Sequence, residues 1–321
     1  MSKYKRVSDK IEELKIDNPH NATEGVRWVN VSNAGKAEIN YLRKNYNFDL
    51  SHLRSSAASI LSQRPQIFKG PKYLFLILHF PAMKDGKIYS AEVDFFIGHG
   101  FLVSAHNNNL PALNSFFSLS KKDTNALASY NTESSAILLH EILGNLIHDS
   151  YRLLDENSIE IKHVEELIFS KKQKQVVESI LLLRRNIINI RKIVQNHKNI
   201  LRELSLMKST IVDQKIIKDH YTKLVDDSKR LWEMLDAQNE MIEVLNSTNE
   251  SLTNNQMNTI MKTLTIFSVI VFPLNLLAAI FGMNAIYMPL VELQWGFWII
   301  IAMMLSGMTL MLVIFKYKRW I

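Results

Sequence analysis

The sequence predicts an α/β domain, then a long α-helical stalk, then a C-terminal hairpin of two transmembrane helices. Three observations predict it. Apolar and alternating runs separated by Gly, Pro and Asp crowd the first 155 residues. From Thr132 onward the pattern turns helical, and no proline occurs before Pro273. Charge then all but disappears, since the last 59 residues hold only Glu292, Lys316, Lys318 and Arg319.

Residues 1–155 form the expected cytoplasmic α/β domain. Within it, 27–31 (RWVNV), 73–80 (YLFLILHF), 87–97 and 101–106 read as strands. Their separators, Gly70-Pro71, Asp85-Gly86 and Gly98-His99-Gly100, are turn formers. Residues 33–46 and 51–61 read as helices. Residues 156–262 form a cytoplasmic helical region, broken near Ser170 and Ser205 and rich in Glu, Lys, Leu and Ile. In its last helix Leu224, Leu231, Leu235, Ile242, Leu245 and Leu252 keep heptad-like steps, a seam for packing on other long helices. Nothing breaks the pattern before the apolar end of the chain. A single stalk helix over about 206–281, roughly 110 Å long at 1.5 Å per residue, is the expectation.

Residues 263–291 and 293–315 carry no charge. Each reaches the roughly 20 residues that a helix needs to cross a bilayer. Two such runs, adjacent, argue for a membrane hairpin over a buried core helix. The expected pieces are a first transmembrane helix over 263–283, an outer loop over 284–296, a second helix over 297–315 and a basic tail over 316–321. Lys262 precedes the first run and Lys316, Lys318 and Arg319 follow the second, so both termini are expected in the cytoplasm of an inner or plasma membrane. Trp295, Trp298 and Trp320 sit near the ends of the second span, where indole rings favour the interface. Met1–Lys15 is charged and lacks the apolar stretch of a signal peptide.

Several function classes find no support. With no cysteine there is no disulfide framework, thiolate metal site or cysteine nucleophile. The first 262 residues balance 35 basic against 30 acidic side chains, which is no footprint for nucleic acid. A GxxxxGK phosphate loop is absent, and His140-Glu141 is followed at 144 by glycine where a zinc protease needs its second histidine. No enzyme is expected. The acidic group Asp155, Glu156, Glu160, Glu165 and Glu166 reads as a solvated helix face, with a cation site between subunits as the alternative.

The first span carries a polar stripe. Alternate steps of four and three visit Ser247, Ser251, Asn254, Asn258, Met261, Thr265, Ser268, Phe272, Asn275, Ala279 and Gly282. A repeat of that kind keeps one face of a slightly supercoiled helix. Small and polar residues serve helix packing in membranes, and they also line pores. Two features favour a pore. The stripe continues beyond the bilayer, where a packing seam would be apolar. It is also interrupted by two large hydrophobes, Met261 and Phe272, as a gate that closes by dewetting would be. One helix cannot enclose a pore, so several copies of the chain would each contribute one.

The first span ends Phe281-Gly282-Met283-Asn284, with Tyr287-Met288-Pro289 soon after. Upstream stand Asn258-x-x-Met261-Lys262-x-Leu264-Thr265 and then Pro273. This arrangement resembles the first-span signature of the CorA family of divalent-cation (magnesium/cobalt) transporters. RWVNV and LLHEILGNLIHDSYRLLDE are similar to that family's cytoplasmic domain. The resemblance implies a homopentamer in the lipid bilayer, with five first-span helices around the pore. It implies that Gly282, Met283 and Asn284 form the selectivity site at the outer mouth. There Asn284 would hold a hydrated Mg²⁺, Co²⁺ or Ni²⁺ through the ion's water shell. No cofactor is implied beyond the divalent cation itself, as substrate and as regulator.

Two departures bear on the ion. Positions that are acidic beside the mouth in many magnesium-transporting members are Ile286 and Leu290 here, leaving Glu292 as the one acid of the connection. Lys223 stands where some members carry a cation-sensing acid, with Asp226 and Asp227 one turn away as the candidate regulatory site. The zinc-transporting ZntB branch, proton-coupled, therefore stays open, as does a non-conducting membrane-anchored coiled-coil scaffold. Gly282-Met283-Asn284 has a second reading too, as a plain helix cap.

Overall fold

A computed structural model of the chain describes residues 3–18, 25–57, 63–122, 134–170, 173–207, 214–283, 290 and 293–320. It divides into two compact units, Met1–Leu245 and Asn246–Ile321.

The first unit is built on a seven-stranded sheet among the described residues. Its strands are β1 (Lys3–Arg6), β2 (Ile11–Ile16), β3 (Val26–Ser32), β4 (Gln66–Lys69), β5 (Tyr73–Lys84), β6 (Lys87–Gly98) and β7 (Phe101–His106). Their spatial order is β1-β2-β3-β7-β6-β5-β4. Every neighbouring pair is antiparallel except β3 with β7, which run parallel. Asp85 and Gly86 join β5 to β6 with φ of 50° and 70°. Positive φ at both positions gives the two-residue turn whose twist matches a hairpin.

Helices cover both faces of the sheet, which explains why Tyr73–Ala82 is apolar almost throughout instead of alternating. One face carries α1 (Lys36–Tyr46) and α2 (Leu50–Ser55). There Leu42, Phe48 and Leu53 pack on Val29, Val31, Phe75, Ile77, Phe96 and Val103. The other face carries α3 (Pro111–Lys122), α4 (Ser135–Phe169) and α6 (His197–Leu206). Its core joins Trp28, Leu76, Leu78, Val93 and Phe95 to Leu113, Phe117, Leu139, Ile142, Leu143 and Leu201. Trp28 meets Phe117 edge-on at 4.8 Å and donates its indole N–H to Ser104 Oγ at 3.0 Å. α5 (Gln173–Val194) packs beside α4 and against β5 and β6.

The remaining helices are α7 (Gln214–Phe281) and α8 (Gly296–Tyr317). α7 is one helix of 68 residues, so the long stalk helix of the sequence continues into the first span without a break. Both helices are long and apolar enough to cross a membrane. Residue 155, expected as a domain boundary, lies inside α4, and the compact unit that contains it extends to Leu245.

Candidate functional site

α7 carries two different faces. Over its first part, Tyr221, Leu224, Ser228, Leu231, Leu235, Gln238, Ile242, Leu245 and Asn249 are all buried. The steps alternate three and four, so this is a single seam. Of the heptad residues, Leu224, Leu231, Leu235, Ile242 and Leu245 lie in it as expected, and Leu252 is half-buried. Its polar members do not follow from an apolar pattern, and each buried amide or hydroxyl needs a partner. Gln238 Nε2 donates to the Leu154 carbonyl at 2.7 Å and to Ser158 Oγ at 2.8 Å, both on α4. Tyr221 donates its hydroxyl to the Ala136 carbonyl at 2.9 Å, and Tyr151 of α4 donates to the Asp227 carbonyl at 2.5 Å.

The polar stripe runs on the same helix, displaced by two residues from the seam: Ser247 and Ser251 against Leu245 and Asn249. At about 100° per residue that is roughly 200°, nearly the opposite side. Ser247, Ser251, Asn254, Asn258, Met261, Thr265, Phe272, Asn275, Ala279 and Gly282 are exposed in the single chain, and Ser268 is half-buried. Phe272 is 70% exposed and Met261 54%, large apolar groups left uncovered among the described residues. Thr265 donates its hydroxyl to the Met261 carbonyl at 2.8 Å. That bond uses the proton and leaves the oxygen lone pairs outward, a back-bonding habit of helical threonines. The Asn275 side chain makes no hydrogen bond among the described residues. A bare amide in a membrane span is costly unless it faces protein or water. Pro273 lies inside α7 and supplies no N–H to the Val269 carbonyl, which adds a polar atom at the same level.

The helix ends at Phe281, where Gly282 N–H donates to the Ala278 carbonyl at 2.9 Å and Met283 N–H to the Ile280 carbonyl at 3.2 Å. Gly282 does not occupy the left-handed region. The reason for glycine is close approach instead, since a Cβ there would stand 3.1 Å from the Ala278 oxygen. Asn284, Ile286 and most of the outer connection lie outside the described residues.

The candidate regulatory residues belong to the first unit. Asp226 and Lys223 are exposed and Asp227 is half-buried. Lys223 and Asp227 line a pocket of about 370 Å³ with His140, Glu141 and His148. In the acidic group, Asp155, Glu160, Glu165 and Glu166 are exposed, and Glu156 is half-buried and paired with Arg152. No group of three or more metal-ligating side chains occurs among the described residues.

The chain matches the family model described as CorA-like Mg²⁺ transporter protein over residues 23–319. It is 25% identical over 259 residues to the putative metal ion transporter YfjQ of Bacillus subtilis, covering 80% of this chain and 79% of that protein. The cobalt/magnesium transport protein CorA of Methanocaldococcus jannaschii is 23% identical over 316 residues, covering 98% and 96%. The complete structure of the CorA magnesium transporter from that organism superimposes with a TM-score of 0.84 at 20% identity, over 98% of this chain and 100% of that one. The cytoplasmic domain of ZntB from Vibrio parahaemolyticus shares the fold with a TM-score of 0.59 at 14% identity, over 72% and 88%. With a family match across nearly its whole length, a shared fold and two helices able to span a membrane, this chain belongs to the CorA-like Mg²⁺ transporter proteins, a family of membrane transporters and not of enzymes.

Proposed function

We propose that the chain forms a homopentamer whose α7 helices line a pore for divalent cations, Mg²⁺, Co²⁺ and Ni²⁺, entering the cytoplasm down their electrochemical gradient. One observation carries this reading: the polar stripe stays on one exposed face of a single helix from Ser247 to Gly282, nearly opposite the face that its own chain buries. A packing stripe would be expected to turn apolar outside the bilayer, and this one does not. The positive-inside pattern puts both termini on the cytoplasmic side. At the outer mouth, Gly282, Met283 and Asn284 select the ion in its water shell, which suits Mg²⁺ because it dehydrates reluctantly. Met261 and Phe272 form the hydrophobic gate.

Uptake into liposomes carrying the purified protein tests the reading. Flux of Mg²⁺, Co²⁺ or Ni²⁺ above that of empty vesicles is expected, and the double variant Asn275→Leu, Ser268→Leu should lose most of it. Wild-type flux in that double variant would favour the scaffold. A second reading, proton-coupled Zn²⁺ transport, draws on the missing acids at Ile286 and Leu290, which weaken attraction of cations to the mouth. It predicts Zn²⁺ flux that responds to an imposed pH gradient.

A further inference from the structure

Beyond the second candidate span the chain is closed by a cap. α8 ends at Tyr317, and three backbone bonds finish it. Lys318 N–H donates to the Ile314 carbonyl at 3.0 Å, Arg319 N–H to the Lys316 carbonyl at 3.1 Å and Trp320 N–H to the Phe315 carbonyl at 2.9 Å. The last two are the paired bonds of a Schellman motif. The apolar contact that accompanies the motif is present too, with the Trp320 ring stacked on Phe315 at 5.8 Å between centroids. Arg319 takes the left-handed position, with φ of 53°.

Glycine is the residue that suits this position, because a Cβ in the left-handed region crowds the following carbonyl. Arg319 accepts that strain and sets a guanidinium there. Backbone N–H groups already satisfy the Ile314, Phe315 and Lys316 carbonyls, so those carbonyls need no cationic side chain. Lys316, Lys318 and Arg319 are exposed and make no ion pair among the described residues. Within Asn246–Ile321 the only acidic side chains are Glu250 and Glu292. Glu292 precedes α8, whose 22 residues span about 33 Å. The dipole of a helix favours cations at its C-terminal end. That explains the sign of the charge and gives no reason for arginine where glycine fits best. Tyr317 is 89% exposed and Trp320 43%, and both ring types favour the level of lipid headgroups.

We propose that this capped turn is a headgroup site for an anionic phospholipid, with Lys316, Lys318 and Arg319 meeting its phosphate between the rings of Tyr317 and Trp320. A guanidinium suits phosphate because its planar fork can donate two parallel hydrogen bonds. The occupant is a lipid and not free phosphate, because the cations stand at the end of an apolar helix long enough to cross a membrane and are flanked by interface-seeking rings. A zwitterionic headgroup carries its own cation, which three protein cations repel, so the site distinguishes anionic lipids from neutral ones. The competing account is a plain helix cap whose charges face only solvent.

Lipid retention by the full-length protein in detergent separates the two, counted per chain by native mass spectrometry with phosphatidylglycerol and phosphatidylcholine. The wild type should retain phosphatidylglycerol in preference. Arg319→Gly gives the left-handed position the residue it favours, so the cap is kept, yet affinity for phosphatidylglycerol should fall about fivefold. Lys316→Gln with Lys318→Gln, as a second variant, should lower it further and leave phosphatidylcholine unaffected. Equal retention of the two lipids by the wild type, or unchanged phosphatidylglycerol retention in both variants, would overturn the site in favour of a plain cap. Loss of both lipids to the same extent would also count against it, since headgroup charge would then be irrelevant. The readout does not depend on conduction, so a failure of liposome uptake would leave it standing.

Discussion

Replacing Asn284 with alanine should abolish divalent-cation uptake, or cut it about tenfold or more, while the oligomer still assembles. A side-chain carbonyl can accept hydrogen bonds from an ion's water shell, and alanine cannot. Losing even one net charge-assisted hydrogen bond, about 1.5 kcal/mol or more, already corresponds to roughly a tenfold change. In a ring of identical subunits the substitution is repeated at every position. Liposome flux measured beside native mass spectrometry checks both halves of the expectation. Wild-type flux from intact oligomers would make Asn284 a helix cap and move the selectivity site elsewhere.

Phe272→Ser should act in the opposite direction. Phe272 is the most exposed large hydrophobe of the stripe, and a ring of such side chains narrows a pore to an apolar constriction that sheds water. A serine hydroxyl at the same level would keep the constriction wet. Flux at cation concentrations that otherwise close the pathway should rise several-fold, with a smaller rise for Met261→Ser. An unchanged or reduced flux in a well-assembled oligomer would remove Phe272 from the gate.

The parts of the fold that the sequence made legible are those where burial leaves a periodic or continuous apolar mark. β5, β6 and β7 read directly, because helices on both faces of the sheet demand apolar side chains on both sides of the strand. The two spans read from the loss of charge. β1 and β2 did not, because β1 is the sheet edge, β2 lies next to it, and the charges of this end of the sheet are used. Glu12 of β2 takes Lys121 of α3 at 2.6 Å and the Tyr4 hydroxyl of β1 at 2.8 Å, and Glu13 takes Arg27 at 2.9 Å. α3 was missed since Asn and Ser dilute its helical pattern, although Pro111 at its first position was an available start signal. The break between α5 and α6, around Asn196, was likewise missed.

The same logic separates the residues of interest. The stripe was visible because it interrupts an apolar background. Ser228, Gln238 and Asn249 were not visible as seam residues, since polar positions in a stalk look solvated until their burial is known, and for Gln238 its partners on α4.

The seam and the stripe of α7 give this helix a fixed angular phase. No loop lies between Asn249 and Ser251 to absorb a change, so one residue inserted there would turn everything after it by about 100° about the helix axis, and two by about 200°. A seven-residue insertion would come within roughly 20° of the original direction. Cation flux should therefore collapse with one or two added residues and return in large part with seven, although seven lengthen the helix most. Flux that simply declined with insert length would mean that azimuth is irrelevant and that the stripe faces nothing in particular.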